Sequence, residues 1–225
     1  MDNNKIESLN HLLKKNALIF EDTKLKSGRI SPYYLSLRKA MEDNTSLDKI
    51  SELFTNTIIN RFGKEFNYIY GPAYTGIPLA AAIALKLLSK HKLQVRFGYD
   101  RKEAKDYGNK NENMIIGSIE EGDKIIVVDD VLTTGKTKIE SINKIRTLQK
   151  NIEIIGIVVF LDRQEIDENN IISSDNLKNN GIMVESILNI KEVYNWLLEK
   201  RINNKTVVDK NTYDKFERYM KINGN

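Results

Sequence analysis

The feature that most constrains the fold is an unbroken apolar run that ends in two adjacent carboxylates. The segment from Lys124 to Ser141 reads KIIVVDDVLTTGKTKIES. Its residues Ile125 to Val128 are β-branched and carry no polar interruption, as expected of a parallel strand that is buried on both faces. Strands of this kind present ligand-binding groups at their carboxyl ends, so the run predicts both an α/β architecture and the position of a site.

The rest of the chain alternates between helical and strand-like patterns. This alternation predicts βαβ units and a parallel sheet with helices on both faces. Residues 20–37 are predicted to form loop and short strands, and residues 167–180 a solvated loop with room for one helical turn. Helical spacing is found in residues 6–15, 47–62, 78–90 and 138–150, and strand patterns in residues 68–70, 94–97, 114–119, 124–130, 154–161 and 181–186.

The residues after the apolar run favour a sugar-phosphate site. Thr133, Thr134 and Gly135 are small and allow backbone N–H groups to converge on an anion. A helix that starts there adds a dipole that favours negative charge by roughly 0.3–2 kcal/mol. Asp129 and Asp130 would repel that anion but suit neutral hydroxyl donors one sugar away. Ribose 2′- and 3′-hydroxyls fit this description.

A nucleotide-binding P-loop is the first alternative, because Gly135, Lys136 and Thr137 spell the GKT that closes G-x-x-x-x-G-K-[ST]. The first glycine of that pattern is replaced by Asp130, which adds a Cβ and a negative charge beside the triphosphate. This mismatch argues against a P-loop. A second alternative, a buried strand with an acidic turn and a capped helix, explains the loop but not the segments elsewhere in the chain.

The run of four apolar residues, two acids and a Thr/Gly loop resembles the motif with which type I phosphoribosyltransferases bind 5-phosphoribosyl 1-diphosphate (PRPP). Further segments narrow this resemblance to the orotate phosphoribosyltransferase family, and their order and spacing cover most of the chain. These segments are LKSGRISPYY at 25–34, GPAYTGIP at 71–78, RKEAKD at 101–106 and FLDRQE at 160–165.

The resemblance implies a fold and a reaction. The expected fold is an α/β five-stranded parallel sheet flanked by helices, as one phosphoribosyltransferase domain over residues 1–225, with a small hood from residues 1–45 and part of the C-terminal region. The expected reaction transfers the 5-phosphoribosyl group from PRPP to orotate in UMP biosynthesis, with magnesium (Mg²⁺) as cofactor. The resemblance also implies a cytoplasmic homodimer with active sites shared across the interface.

Two other functions remain open. A phosphoribosyltransferase for another base would keep the PRPP motif and differ at Tyr34, Leu35 and Arg163. A non-catalytic PRPP-binding regulator would bind without turnover, although the retained RKEAKD segment and the absence of an appended DNA-binding region argue against it.

The resemblance also implies the site residues. No metal-ligating residue is predicted, since Mg²⁺ is expected to be held by substrate and water. Catalytic roles fall on Lys105, Arg101, Asp129 and Asp130. Contacts to PRPP fall on Lys26, Tyr74, Thr75, Arg101, Lys102, Lys105, Tyr107, Asp129, Asp130, Val131, Leu132, Thr133, Thr134, Gly135, Lys136 and Thr137. Contacts to orotate fall on Tyr34, Leu35, Thr133 and Arg163.

Some of these segments also have simpler interpretations. GPAYTGIP could be an ordinary strand-to-helix turn, and the charged residues 100–112 a solvated hairpin. Arg163, whose planar guanidinium suits a carboxylate ligand, could instead pair with Asp162 or Glu165 on the surface. Three positions depart from the family pattern: Thr75 where Lys is common, Lys136 where Thr is usual, and Tyr107 where His is usual.

Composition excludes several classes. The 35 Lys and Arg residues against 31 Asp and Glu give a net charge of +4, too balanced to predict a nucleic-acid binder. The chain has no cysteine, which removes disulfides, thiol catalysis and Cys-ligated zinc. Its polar first residues contain no signal-peptide core, and its longest apolar run, 78–88, is short and interrupted by Lys86. We therefore expect no membrane span and a cytoplasmic location.

Overall fold

The computed structural model describes residues 1–25, 28–101, 115–148, 151–167, 169–202 and 204–224. Within these ranges a short 3₁₀ helix spans Lys39–Met41. The α-helices are α1 (Asn3–Lys14), α2 (Asn44–Phe62), α3 (Gly76–His91), α4 (Lys136–Leu148), α5 (Ser173–Asn179), α6 (Ile190–Leu197) and α7 (Lys210–Asn223). The strands are β1 (Leu18–Ile19), β2 (Thr23–Lys24), β3 (Ile30–Ser31), β4 (Tyr34–Leu35), β5 (Tyr68–Tyr70), β6 (Arg96–Asp100), β7 (Ile115–Ile116), β8 (Lys124–Leu132), β9 (Glu153–Asp162), β10 (Met183–Asn189), β11 (Arg201–Ile202) and β12 (Lys205–Thr206).

The central sheet has the strand order β10-β9-β8-β5-β6-β7. Five of its strands are parallel, as predicted, and β8 lies in the middle between β9 and β5. The sixth strand is the short β7, which pairs antiparallel with β6 and places Tyr99 opposite Ile116. The prediction of a five-stranded parallel sheet is therefore confirmed, with one antiparallel edge strand added to it.

Strand β8 is buried on both faces, as its apolar run predicts. Ile126 and Val128 belong to one hydrophobic cluster, and Ile125 and Val127 belong to another. Side chains alternate between the two faces of a strand, so the two clusters lie on opposite sides of the sheet. This double burial fixes the register of β8 and with it the position of the acidic residues that follow.

Helices α1 and α2 begin three residues earlier than the spacing of their apolar residues predicts, because capping residues determine where they start. Helix α2 begins at Asn44 rather than 47, because the Asp43 side chain accepts a hydrogen bond from the Ser46 amide at 2.8 Å. Helix α1 begins at Asn3 in the same way, with Asp2 accepting from the Lys5 amide at 2.9 Å. Apolar spacing identifies the buried face of a helix but not its first turn.

Helix α6 agrees with the helical spacing of Val193, Trp196, Leu197 and Leu198 in the sequence, whereas α5 and α7 differ from the sequence prediction. Helix α5 lies in residues 167–180 and is longer than the single turn expected there. Helix α7 was not predicted. It packs Phe216 flat against Tyr194 of α6, with ring centroids 3.8 Å apart, and edge-on to Tyr33 near the N-terminal strands. The C-terminal helix and residues of the first 45 thus meet in one aromatic cluster.

No helix in the described ranges is long and apolar enough to cross a membrane.

Candidate active site

Four parallel strands deliver the candidate site residues to one edge of the sheet. Strands β5, β6, β8 and β9 end at Tyr70, Asp100, Leu132 and Asp162. Because the strands are parallel, their carboxyl ends lie at the same edge, where α/β proteins bind ligands. The Gly/Thr loop, the 71–76 loop, Arg101 and Arg163 all follow one of these ends.

The loop after β8 forms a helix N-terminus suited to an anion. Gly135 has a φ of +73°, which favours glycine, and its carbonyl accepts hydrogen bonds from the amides of Lys138 and Ile139 at 3.0 Å each. The first amides of a helix have no intrahelical acceptor, so those of Lys136 and Thr137 are oriented toward the loop. This arrangement can bind a phosphate group.

The acidic pair at the end of β8 is asymmetric. Asp129 is almost buried: its Oδ1 accepts a hydrogen bond from the Asp130 amide at 2.8 Å, and its Oδ2 pairs with the Lys138 ammonium of α4. Asp130 is half-buried and its Oδ1 accepts from the Val131 amide at 2.8 Å. Burial, and next the neighbouring Asp129 charge, raise the pKa of Asp130 to about 6, while Lys138 opposes this shift.

Lys138 is a site residue that sequence reasoning missed. Its side chain is only 7% exposed and lies against the carboxylate nine residues earlier in the chain. Helical periodicity placed Lys138 at the start of α4 but gave no indication that its side chain turns back toward the strand end. The sequence shows only a lysine in the first turn of the helix that follows the Thr/Gly loop. A lysine at such a position usually faces solvent, so the sequence does not indicate the buried pair.

The loop after β5 closes tightly on itself. A Cβ on Gly71 would collide with the Gly76 carbonyl, so the backbone approach requires glycine. The Ala73–Tyr74 peptide is cis, Tyr74 is 60% exposed and Thr75 is buried. The loop therefore presents Tyr74 outward and holds the Thr75 side chain inside.

Asp100 anchors this loop and was not predicted. Its Oδ1 accepts a hydrogen bond from the Ala73 amide at 2.6 Å, and its Oδ2 lies 3.3 Å from the Lys144 ammonium of α4. Asp100 is itself 6% exposed. One carboxylate thus ties the 71–76 loop, the end of β6 and helix α4 together.

Arg101 is the one residue of the RKEAKD segment inside the described ranges. It follows β6 directly and is half-buried, and its Nε has no hydrogen-bond partner among the described atoms. Lys102, Lys105 and Tyr107 lie outside the described residues, as does Lys26, so their roles stay predictions.

Arg163 lies at the centre of a buried polar group that we call the Arg163 cluster: Arg163, Glu165, Ser31, Tyr33 and Tyr219. The Arg163 Nε donates to Glu165 Oε1 at 2.8 Å, its Nη2 donates to Ser31 Oγ at 2.8 Å, and the guanidinium carbon lies 4.2 Å from the centre of the Tyr33 ring. Tyr219 of α7 donates its hydroxyl to Glu165 Oε1 at 2.6 Å. Burial, and next Glu165, raise the pKa of Tyr219 to about 12.

The ion pair with Glu165 is the alternative considered for Arg163, but it is buried rather than on the surface. Arg163 is 3% exposed and Glu165 is 2% exposed. The pair connects the end of β9 to the N-terminal strand β3 and to α7. Binding of orotate by Arg163 stays a prediction.

The other predicted site residues occupy varied environments. Tyr34 is 38% exposed, whereas Leu35 is 6% exposed and belongs to the larger hydrophobic cluster. Leu132, the last residue of β8, is fully buried. Thr133 is fixed through its carbonyl, which accepts from the Ser173 hydroxyl. Ser173 opens α5 in a region predicted to be loop, so its positioning role was missed.

Comparison with known proteins agrees with this geometry. A family model described as Phosphoribosyl transferase domain matches residues 39–190. The chain is 31% identical to an orotate phosphoribosyltransferase of Clostridium acetobutylicum over 226 residues, covering 100% of this chain and 99% of that protein. It is 32% identical to one of Lachnoclostridium phytofermentans, covering 93% and 92%. A crystal structure of the Francisella tularensis orotate phosphoribosyltransferase matches with a TM-score of 0.77 at 28% identity, covering 97% of this chain and 100% of that one.

The fold and the matched domain define a type I phosphoribosyltransferase. Within that class, the full-length similarity places the chain in the orotate phosphoribosyltransferase family.

The raised pKa of Asp130 predicts a pH-dependent cost to stability. The folded-state pKa, about 6, lies above the ordinary value of 3.8 for an Asp side chain, so the folded protein binds this proton more tightly than the unfolded chain. The cost of the buried charge is therefore complete above about pH 6 and disappears as the pH falls toward about 4. Asp130→Asn should raise the melting temperature at about pH 8, and the difference from wild type should vanish at about pH 4.

Thermal melts followed by circular dichroism across this pH range measure the effect. Glu140→Gln is the matched control, because it removes an exposed carboxylate from α4. Its melting temperature should follow wild type at every pH. A lower melting temperature for Asp130→Asn than for wild type at the alkaline end would contradict the prediction.

The Arg163 cluster predicts a large stability loss when its buried carboxylate is neutralised. Glu165→Gln leaves the buried guanidinium without a counter-charge and should lower the free energy of unfolding by about 3–5 kcal/mol. Urea denaturation measures this loss. Asp214→Asn, which breaks an exposed pair with Lys210 on α7, should have no measurable effect. Equal small effects of the two variants would show that the cluster contributes no more than a surface pair.

Proposed function

We propose that the protein transfers the 5-phosphoribosyl group from PRPP to orotate, releasing pyrophosphate and forming orotidine 5′-monophosphate. One observation carries this proposal. An acidic pair lies at the carboxyl end of the central strand β8 and a helix N-terminus suited to an anion follows it, in a chain similar over its full length to orotate phosphoribosyltransferases. The reaction is a step of pyrimidine nucleotide synthesis.

The proposed roles follow from where each group lies. The N-terminus of α4 binds the 5′-phosphate, and the carboxylates of Asp129 and Asp130 accept hydrogen bonds from the ribose hydroxyls. The 71–76 loop receives the pyrophosphate. Breaking the bond at C1′ places positive charge on the ribose and negative charge on the leaving group, so catalysis is positioning plus electrostatic stabilisation.

Orotate recognition is assigned to Tyr34, Leu35, Thr133 and Arg163. Tyr34 is the exposed member of this group, and Arg163 would meet the orotate carboxylate with a guanidinium that Glu165 and Ser31 already orient. A fixed planar fork suits bidentate recognition of a carboxylate.

We propose that Mg²⁺ binds together with PRPP, which supplies most of its ligands. In the described part of the chain, no group of three or more His, Asp or Glu side chains could hold a metal ion. The half-buried carboxylate of Asp130 is an oxygen donor of the type that suits Mg²⁺ through water, while most ligands would come from PRPP oxygens. When bound, the ion would neutralise part of the negative charge on the pyrophosphate.

We further propose a cytoplasmic homodimer, in which residues 101–106 reach the site of the neighbouring subunit. The similarity of RKEAKD to the family segment supports this assembly. The single-domain organisation, with a hood from residues 1–45 and part of the C-terminal region, is part of the same proposal. It is supported by the contact of Tyr33 with Phe216 and of Ser31 with Arg163.

Loss of orotate absorbance with purified protein, PRPP and Mg²⁺ tests the reaction. Adenine, hypoxanthine and uracil serve as alternative acceptors in parallel assays. We expect turnover with orotate alone. Turnover with another base would reassign Tyr34 and Arg163 to structural roles, and PRPP binding without turnover on any base would favour a non-catalytic regulator.

Lys105 is predicted to stabilise the leaving pyrophosphate. Lys105→Ala should lower kcat by about 10²-fold or more, as expected when a group that meets developing charge is removed, and should leave the circular dichroism spectrum unchanged. Lys110→Ala removes the same charge from the same segment and is the matched control. Turnover of Lys105→Ala equal to that of Lys110→Ala would remove the proposed role.

A further inference from the structure

Lys138 is a buried cation at the candidate site to which neither the resemblance nor the predicted roles give a function. It lies in the first turn of α4, and its side chain is 7% exposed. Lysine is rarely buried to this degree unless it is paired. Its ammonium pairs with Asp129 Oδ2, whose side chain is 13% exposed.

The pair leaves Asp129 fixed but still able to accept hydrogen bonds. Lys138 holds Oδ2 and the Asp130 amide holds Oδ1 at 2.8 Å, so the carboxylate plane cannot rotate. Two carboxylate oxygens offer about four lone-pair sites, of which these contacts use two. The remaining sites are presented in a fixed direction at the end of β8.

The pair also changes the charge that an approaching substrate meets. Asp129 and Asp130 are adjacent, and with both ionised they would place two negative charges where a polyanionic sugar phosphate must bind. Lys138 balances one of them from inside the protein. The exposed charge of the pair is then carried by Asp130, which is half-buried and whose Oδ1 accepts a hydrogen bond from the Val131 amide.

We propose that Lys138 is a positioning residue for PRPP, acting through Asp129: it orients this carboxylate toward the ribose hydroxyls and reduces the negative charge of the acidic pair. This inference rests on the proposed function. It assigns Lys138 a role in binding PRPP and none in binding the base. A purely structural pair that fastens α4 to β8 would instead affect folding, and through it both substrates alike.

Lys138→Met tests the proposal, since it keeps the length and apolar stem of the side chain and removes its charge. Binding of PRPP in the presence of Mg²⁺ is measured directly by calorimetry without orotate, and steady-state assays give KM for each substrate. We expect the Kd for PRPP to rise about ten-fold or more, or about 1.4 kcal/mol, because Asp129 is then no longer held and both carboxylates meet the polyanion without a balancing charge. The KM for orotate should stay within about two-fold of wild type, a change too small to represent a lost contact.

A double-mutant cycle with Asp129→Asn establishes whether Lys138 acts through Asp129. In the Asp129→Asn background, Lys138→Met should add less than about two-fold to the Kd for PRPP, because the residue through which it acts is already neutral. Arg146→Met is the matched control: it removes an exposed positive charge from the same helix and should leave the Kd for PRPP at the wild-type value. Circular dichroism verifies the fold of each variant. If Lys138→Met does not fold, Lys138→Gln, which keeps a hydrogen-bond donor, takes its place with the same expected direction.

Three results would overturn the proposal: an unchanged Kd for PRPP, an equal weakening of both substrates, or the same loss with and without the Asp129 carboxylate. Failure of the proposed reaction is distinguishable from these. Wild-type protein that binds PRPP without using orotate would refute the reaction and leave the binding test of Lys138 intact, whereas wild-type protein that does not bind PRPP would overturn both.

Discussion

The structure depends on the double burial of strand β8. Ile125 to Val128 are fully buried between two hydrophobic clusters, so this part of the chain can hold no charge without a large desolvation cost. The two carboxylates must therefore lie beyond it, at the edge of the sheet. Helix α4 then starts after a three-residue loop, with its positive end at the same edge. The apolar strand thus determines where both the acidic pair and the anion cradle can be.

Three buried carboxylates at this edge are paired with cations, two of them from helix α4 and one from the segment after β9. Asp129 pairs with Lys138, Asp100 with Lys144, and Glu165 with Arg163. Helix α4 supplies two of these cations, Lys138 in its first turn and Lys144 two turns later. Since Asp100 also holds the 71–76 loop, α4 connects that loop electrostatically to the acidic pair of β8. The proposed phosphate and pyrophosphate subsites therefore share one helix as their support.

Local patterns in the sequence identify the buried strands and the loop after β8, because strand burial and turn chemistry depend on neighbouring residues. They do not identify partners that the fold brings together from distant positions. Ser31 and Arg163 are 132 residues apart and form one hydrogen bond in the core. Helix α7 was missed for the same reason, since its burial depends on the contact of Phe216 with Tyr194 rather than on its own mostly polar pattern. Asp43, three residues before Ser46, is by contrast a local signal for the start of α2, because Asp is a preferred N-cap residue.

The two lysines of the GKTK segment, Lys136 and Lys138, have opposite environments. This difference decides which of them could compensate for Thr75, which occupies a position where the family commonly has Lys. Lys138 is buried and already pairs with Asp129, so its charge is used within the protein. Lys136 is exposed at the first position of α4, beside amides that point toward the loop. Thr75 is buried and carries no charge, so a positive charge for PRPP at this part of the site must come from another residue. That residue must be exposed if it is to reach the substrate. Of the two lysines, Lys136 is therefore the candidate for compensation in PRPP binding, while Lys138 balances the charge of the acidic pair that is proposed to bind the ribose.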